Sequence, residues 1–394
     1  MNEGALSGIR VLDFTWLLAG PYATRLLADF GAEVIKVQSG KTATGAESNA
    51  TGYFNTWNRN KLGITLDMSH PEAKELALGL VKISDVVIEN FTPRVMANWG
   101  LGYERLSEVK PDIIMLSLSG MGQTGPWRDF AALGPTIQAL SGITQLTSFS
   151  QGPPQGIGYS YADPLAGMFA AIAILAALEY RTATGRGQYI DISEYEAMCS
   201  LLGPAILDYS VNGHAAGPSG NTAGYAPAAP HGCYRCLGDD RWCTIAAYTE
   251  EEWHVLCRVI GSDWDKEERF AGALQRQQHA GELDELLGQW TARYTAEQLM
   301  KMLQAAGVPC GVVNSAADLA DDPQLTAHDF FIRLPHPVLG DTSSDGTPIR
   351  LSGTPASFRR AAPLLGQDND YVYHDLLGLD KKELQQYIEK GVIP

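Results

Sequence analysis

Short apolar, strand-like runs alternate with helical stretches through the first half of the chain. This alternation limits its fold more than any other feature. Residues 8–14 have the length and apolar content of a buried strand. Gly20-Pro21 opens a helix that runs through Leu27 and Ala28, Gly31-Ala32 closes it, and Val34-Ile35-Lys36-Val37 reads as a second strand. Strand, helix and strand in that order imply a parallel pair with a right-handed crossover. The pattern recurs as a strand at 63–66, a helix at 71–82, a strand at 85–90, short helices at 93–99 and 103–109, and a strand at 112–118. A long apolar run then leads to a helix end near Tyr180, a turn at 184–188, a strand at 189–192 and a helix from Glu194. Such alternation predicts an α/β fold with a parallel sheet.

The chain has 394 residues, 45% of them apolar, enough for two domains or one large elaborated domain. Composition shifts at 211–230, which is rich in Gly, Ala, Pro and Asn and reads as a connector. We place a large domain at 1–210, a linker at 211–231, a small α+β domain at 232–334 and a tail at 335–394. The small domain should begin with a hairpin, 232–237 and 241–248, turning at Gly238-Asp239-Asp240. The tail, rich in Gly and Pro, ends in a polar helix at 381–390.

Asp163 stands between a Gly/aromatic segment and the apolar run. Pro164 suits the first helical position, which puts Asp163 on the N-cap. A carboxylate there is held ionised by the helix dipole and the free first-turn N–H groups. That is a good place for a carboxylate nucleophile. The plain alternative is that Asp163 only caps a helix.

The net charge of −16 argues against nucleic acid or an anionic membrane as partner, because phosphate binding needs a basic face. The apolar run at 164–178 is too short to span a bilayer, and Met1-Asn2-Glu3-Gly4 has neither a basic nor an apolar leader pattern. A cytoplasmic protein is expected. Six cysteines fit reduced thiols. Cys233-x2-Cys236 with Cys243 and His231 hints at zinc, but no second pair follows at a matching spacing, so no metal is expected. Gly120-Met121-Gly122-Gln123-Thr124-Gly125 fits G-x-G-x-x-G, yet Pro126-Trp127-Arg128-Asp129 follows instead of a helix, and no acidic residue occurs between Asp129 and Asp163. It reads as a tight loop. No P-loop, G-x-S-x-G or H-E-x-x-H pattern is present.

Several ordered segments resemble the family III CoA-transferases, the group that includes formyl-CoA transferase and the carnitine CoA-transferases. They are residues 8–13, Ala19-Gly20-Pro21, residues 27–37, Asn58-Arg59-Asn60-Lys61 with residues 64–67, and residues 85–91. Gly122-Gln123-Thr124-Gly125-Pro126, Asp163 with Gly167, residues 176–188, residues 307–313 and Asp322-Pro323-Gln324-Leu325 complete the set. Each is weak alone. Together they cover nearly the whole chain in order.

The resemblance implies a Rossmann-like large domain completed by the 335–394 tail, and an interlocked dimer, either a homodimer or a heterodimer with a related subunit. It implies transfer of CoA from an acyl-CoA donor, such as succinyl-CoA, to a carboxylic acid, with Asp163 as nucleophile. Aspartyl anhydride and aspartyl-CoA thioester intermediates would follow, with no cofactor beyond the CoA thioester substrates. It places Leu66, Asn90 and Phe91 at the CoA nucleotide pocket and the Ala19 backbone near CoA, and offers Arg59 and Lys61 for the phosphates. The chain departs from the family at Gln38-Ser39-Gly40-Lys41, where many members carry Glu and Gly-Asp-x-x-Arg, and Lys41 is a substitute cation. It departs again at residues 131–135, where formyl-CoA transferase has a Lys and a Glu. Residues 161–164 and 95–101 are similar to the succinyl-CoA:benzylsuccinate subtype, and Tyr159, Tyr161 and Phe149 would suit an aromatic or bulky acid, with ordinary core packing the equal alternative. The 2-methylacyl-CoA racemases share the fold, but Leu133 stands where their histidine belongs and cannot exchange a proton. A silent subunit of a heteromeric transferase is the remaining alternative.

Overall fold

Six parallel strands carry the larger of two units: β1 (Arg10–Asp13), β2 (Glu33–Gln38), β3 (Leu62–Thr65), β4 (Val86–Glu89), β5 (Ile114–Ser119) and β6 (Gln188–Ser193), in the order β3-β2-β1-β4-β5-β6. The architecture is that of a computed structural model, which describes residues 4–149, 151–221 and 228–394. The reading of the extreme N-terminus and part of the 211–231 linker lie outside the described residues.

Crossovers between strands are helical. They are α1 (Ala19–Asp29), α2 (Gly52–Asn58), α3 (Ala73–Lys82), α4 (Val95–Asn98), α5 (Tyr103–Val109), α6 (Gly134–Leu140), α7 (Ile143–Leu146) and α8 (Ala162–Thr184). After β6 come α9 (Glu194–Ser200) and α10 (Gly203–Asn212). The register pairs Val11 with Val34 and Val86, and Leu12 with Ile35 and Val87. Alternate residues therefore face opposite sides. Leu12, Ile35, Ile64, Val87 and Met115 pack with Leu76 and Leu80 of α3. Val11, Val34, Ile88, Ile114 and Leu116 pack with Leu27 of α1 and Ala170 and Ile174 of α8. Strands buried on both faces read as unbroken apolar runs, which is why the sequence shows them so plainly.

Helix α8 begins earlier and ends later than its sequence suggests. Tyr161 is the N-cap and Asp163 the second helical residue, so Asp163 is not the cap. Pro164 is tolerated one position further in because first-turn N–H groups have no helical partner to lose. At 23 residues, with an 18-residue stretch of mean hydropathy 1.6, α8 is long and apolar enough to cross a membrane by length and composition, which corrects the reading of 164–178 as too short. Half of that apolar window is buried within the protein.

The chain's end closes the free edge of the sheet. Asp368 Oδ2 accepts from Gly63 N at 2.7 Å and Asn369 Oδ1 accepts from Thr65 N at 2.9 Å, so two outward-facing N–H groups of β3 are satisfied by side chains. Tyr373 lies fully buried and donates to Thr65 O.

The first unit runs through Thr144, Gly156–Ala215 and Gln324–Pro394; the second comprises Gln145–Gln155 and Ala216–Pro323. Residues 324–334, assigned to the small domain on sequence grounds, thus fall in the first unit. There β10 (Phe331–His336) pairs with β11 (Gly340–Asp345), and Asp345 of β11 takes a two-pronged ion pair from Arg25 of α1. In the second unit β7 (His231–Arg235), β8 (Trp242–Ala246) and β9 (Cys310–Val312) form an antiparallel sheet in that order. The expected hairpin is present, and Trp253, Phe270, Leu283, Leu287 and Leu299 fill the core behind it.

Candidate active site

In an open α/β sheet the carboxyl ends of the strands, where the strand order reverses, form a crevice. Here the reversal lies between β1 and β4. A cavity of about 600 Å³ opens there, lined by Trp16 and Leu17 after β1, Asn90 and Phe91 after β4, Ser119 and Gly120 at the end of β5, and Glu194 after β6. Asp163, from the start of α8, lines it too. Asn90 fixes the rim: its amide accepts from Trp16 N at 2.8 Å and donates to Trp16 O at 2.9 Å.

Three neighbours define the surroundings of Asp163. Ser160 donates its hydroxyl proton to Asp163 Oδ2. Gln138, buried in α6, accepts from Tyr161 N at 2.9 Å and so pins the turn that launches α8. Gly134 opens α6 against them; a Cβ there would overlap Ser160 Oγ and come within 2.5 Å of Asp163 Oδ2. The electrostatics differ from the sequence expectation of a carboxylate simply held ionised. Burial pushes the Asp163 carboxyl above its ordinary value, against the opposing hydrogen bond from Ser160. Tyr53 and Tyr159 both feel the Asp163 charge, and burial together with that charge takes the Tyr53 phenol up to about 12. Leu133 lines the same cavity and carries no titratable group. Phe149, offered with the tyrosines as a contact for a bulky acid, belongs to the second unit.

Glu194 is the residue that sequence reasoning missed. It is 8% exposed, and burial, then the nearby Asp163 charge, raise its carboxyl to about 8. Its turn is stapled in place, since Tyr195 N donates to Gly120 O at 3.0 Å and Ser193 Oγ accepts from Glu196 N. The available signal was its place directly after the sixth strand, where loops of such folds meet ligands. Ser160, three residues before Asp163, carried no signal of its own.

A second cavity of about 320 Å³ shares the wall of Trp16, Phe91 and Val95 and continues over Phe14, Trp99, Leu66, Lys41 and Ser69. Phe91 and Trp99 meet edge to face at 5.2 Å. Leu66, Asn90 and Phe91 therefore come together at the crevice. Ala19, 1% exposed as the first residue of α1, lines neither cavity. The structure does not bring Arg59 and Lys61 to the lining of either cavity. Arg59 is 1% exposed and its guanidinium pairs with Asp29, while Lys61 is fully buried and bonds Asp13 at 3.1 Å and Asn58 at 2.8 Å. Burial lowers the Lys61 ammonium to about 7 against the attraction of Asp13. Such cations cannot leave their counter-ions for a surface anion without stranding a buried charge. Lys41 is the exposed cation at the cavity, held by Asp67 at 2.8 Å and Ser69 at 3.0 Å.

The G-x-G-x-x-G segment follows β5 rather than β1, and no helix begins until Gly134, so it is a loop and not a dinucleotide cradle. Among the described residues no group of three or more His, Cys, Asp or Glu is placed to hold a metal ion.

Residues 6–369 match the model of CoA-transferase family III. The chain is 38% identical over 396 residues to a succinyl-CoA–D-citramalate CoA-transferase from Chloroflexus aurantiacus, covering 98% of each chain. It is 31% identical over 417 residues to a formyl-CoA:oxalate CoA-transferase from Rhodopseudomonas palustris, covering 99% of this chain and 97% of that one. A crystal structure of a CAIB/BAIF family protein from Brucella suis superimposes with a TM-score of 0.87 at 31% identity, over 95% of this chain and all of that one.

Proposed function

This chain belongs to CoA-transferase family III and is an enzyme of that class, and from that premise we propose that Asp163 carries the acyl group during transfer of CoA from an acyl-CoA to a carboxylate. The observation that supports this reading most is the position of Asp163. It is a carboxylate in the first turn of a helix, hydrogen-bonded by Ser160, facing a cavity at the switch point of the sheet.

The steps follow from the groups present. An ionised Asp163 oxygen attacks the thioester carbonyl; the C–O bond forms, the C–S bond breaks, and CoA leaves as thiolate. The thiolate attacks the aspartyl carbonyl of the resulting anhydride, releasing the donor acid and leaving CoA on Asp163 as a thioester. The acceptor carboxylate then attacks that thioester, and the thiolate takes the new acyl group. Ser160 and the first-turn dipole favour the charged Asp163 against its burial. The scheme calls on no group beyond the chain and its CoA substrates. The cavity walled by Phe14, Phe91 and Trp99 suits the nucleotide end of CoA, with Lys41 at its rim for phosphate. Succinyl-CoA is the donor we favour, since it is named for the Chloroflexus relative.

An obligate dimer belongs to the same reading. Phe169, Ile172 and Leu175 of α8 and Ile206, Leu207 and Tyr209 of α10 are exposed, and no residue of α10 is buried. Apolar faces of this size on a single chain suit a subunit interface.

The test is to trap the intermediate. Incubation with succinyl-CoA followed by hydroxylamine should place a hydroxamate on Asp163, read by peptide mass. Asp163→Asn should lose about 1,000-fold or more in kcat with its circular dichroism unchanged. Wild-type-like turnover in that variant would sink the assignment.

A further inference from the structure

Glu194 lines the Asp163 cavity, is more than nine-tenths buried, and among the described residues receives no hydrogen bond on its carboxyl. Its carboxyl faces the cavity with no partner from the described residues, so it is free to bond a ligand held there. The charged groups sharing its cavity are Asp163 on α8 and Arg128 on the loop before α6; Glu196 follows on its own helix. Two carboxyls in one poorly solvated space do not both ionise readily, so the pair holds a proton between them. Asp163 has Ser160 to stabilise its charge, and Glu194 has no such donor. The proton therefore rests on Glu194.

We propose that Glu194 is the proton-bearing partner of Asp163, donating a hydrogen bond to the carboxylate of the incoming acid while CoA is held on Asp163 as a thioester. This deepens the transferase reading and rests on it. The acceptor arrives as an anion in a cavity already lined by acidic groups. An ionised Glu194 would repel it; a neutral one binds it and leaves its second oxygen free to attack. The new C–O bond forms at the aspartyl carbonyl, the C–S bond breaks, and CoA thiolate departs. The proton stays on Glu194 throughout, so no acid or base is consumed. Burial, and next the Asp163 charge, raise the Glu194 carboxyl to about 8 in the free enzyme. When Asp163 is held as its uncharged thioester the burial remains and the charge does not, so Glu194 ionises at a lower pH in that form while staying above the ordinary carboxylate value. Acceptor use should thus weaken as pH rises through that raised ionisation, while the donor half-reaction at Asp163 does not.

The experiment compares wild type, Glu194→Gln and Glu194→Leu with succinyl-CoA as donor and short mono- and dicarboxylic acids as acceptors. It reads transfer and hydroxylamine-trappable adduct separately. Glu194→Gln keeps a neutral donor. It should stay within about 3-fold of wild type at pH 7 and lose the alkaline decline of kcat/KM for the acceptor. Glu194→Leu should form the Asp163 adduct normally yet lose about 30-fold in kcat/KM for the acceptor. Infrared spectra at pH 7 should show the C=O stretch of a neutral carboxylic acid that Glu194→Gln removes. Unchanged acceptor kinetics and alkaline limb in folded Glu194→Leu would overturn the proposal. So would loss of the adduct itself in that variant, which would move Glu194 to the donor step. Deuterium entering C2 of an acyl-CoA in heavy water, and lost in Glu194→Gln, would overturn it in favour of α-proton exchange. If wild type forms no adduct with any acyl-CoA, the transferase reading fails first and takes this one with it.

Discussion

Gly134 matters for the side chain it lacks. Ser160 Oγ and Asp163 Oδ2 occupy the space a Cβ would need, so Gly134→Ala must push the hydroxyl off the carboxylate. We expect kcat to fall about 100-fold with secondary structure unchanged, because the misplaced group is the proposed nucleophile. The basic residues separate into two roles. Lys41→Ala should raise KM for acyl-CoA severalfold and spare stability, as an exposed pair contributes little. Lys61→Ala should instead cost about 3 kcal/mol or more in denaturant titration, since it leaves Asp13 short of a buried counter-ion. Similar losses of acyl-CoA affinity in both variants, with stability intact, would restore Lys61 as a phosphate contact. Glu194 also marks the stability curve. Its folded value, about 8, lies above the ordinary carboxylate value, so the native state binds the extra proton. The stability tied to that proton is present at low pH and lost as pH rises through about 8. The melting temperature of Glu194→Gln should therefore gain on wild type between pH 5 and pH 8 and level off above. A constant difference across that range would show that Glu194 does not titrate there. Asp163 was legible in the sequence as a candidate, because it lies in a short segment that matches the family's order of motifs. Glu194 and Gly134 were not, because their meaning is a distance to a residue about 30 positions away.

At the scale of elements, α8 joins the sheet to the site. Gly167 lets it lie against α1: a Cβ there would sit 2.6 Å from Ala19 O and 3.0 Å from the Tyr22 ring. Gly167→Ala gains helix propensity but forces two helices apart, and the second effect is larger because the obstacle is backbone. We expect a net loss of about 1–2 kcal/mol in chemical denaturation, with part of the activity lost through displacement of the Asp163 turn. A stability equal to or above wild type would show that the helices adjust freely. The inner strands β1, β2, β4 and β5 were easy to read, because they are buried on both faces. The ends of α8 were not. Its N-terminus is decided by Gln138 holding Tyr161 N, a contact from another helix, and its polar last turn is held by Arg181 bonding Asp85 at 2.8 Å. Capping signals in the local sequence cannot anticipate partners supplied from elsewhere.

At the scale of the molecule, the exposed apolar face of α8 and α10 predicts that dilution will not yield a folded monomer. Sedimentation and circular dichroism on serial dilution should show dissociation and loss of helix together, and Leu207→Glu should depress soluble yield or stability sharply. A folded monomer at nanomolar concentration would rule out an obligate interface and leave the chemistry at Asp163 untouched. If the lone chain is inactive and a related chain rescues it, the heteromeric form is favoured instead. By itself the sequence determined the α/β class, the inner strands and the family, and offered Asp163 as a candidate, because apolar runs, crossover patterning and short ordered motifs are all encoded within a few neighbouring positions. Tertiary structure alone decided that Arg59 and Lys61 are buried struts and that Asp368 and Asn369 close the β3 edge across some 300 residues of chain. It alone placed a second carboxyl beside the first. Burial and charge pairing are properties of residues distant in sequence, and they set which ionisable groups are free to meet a substrate.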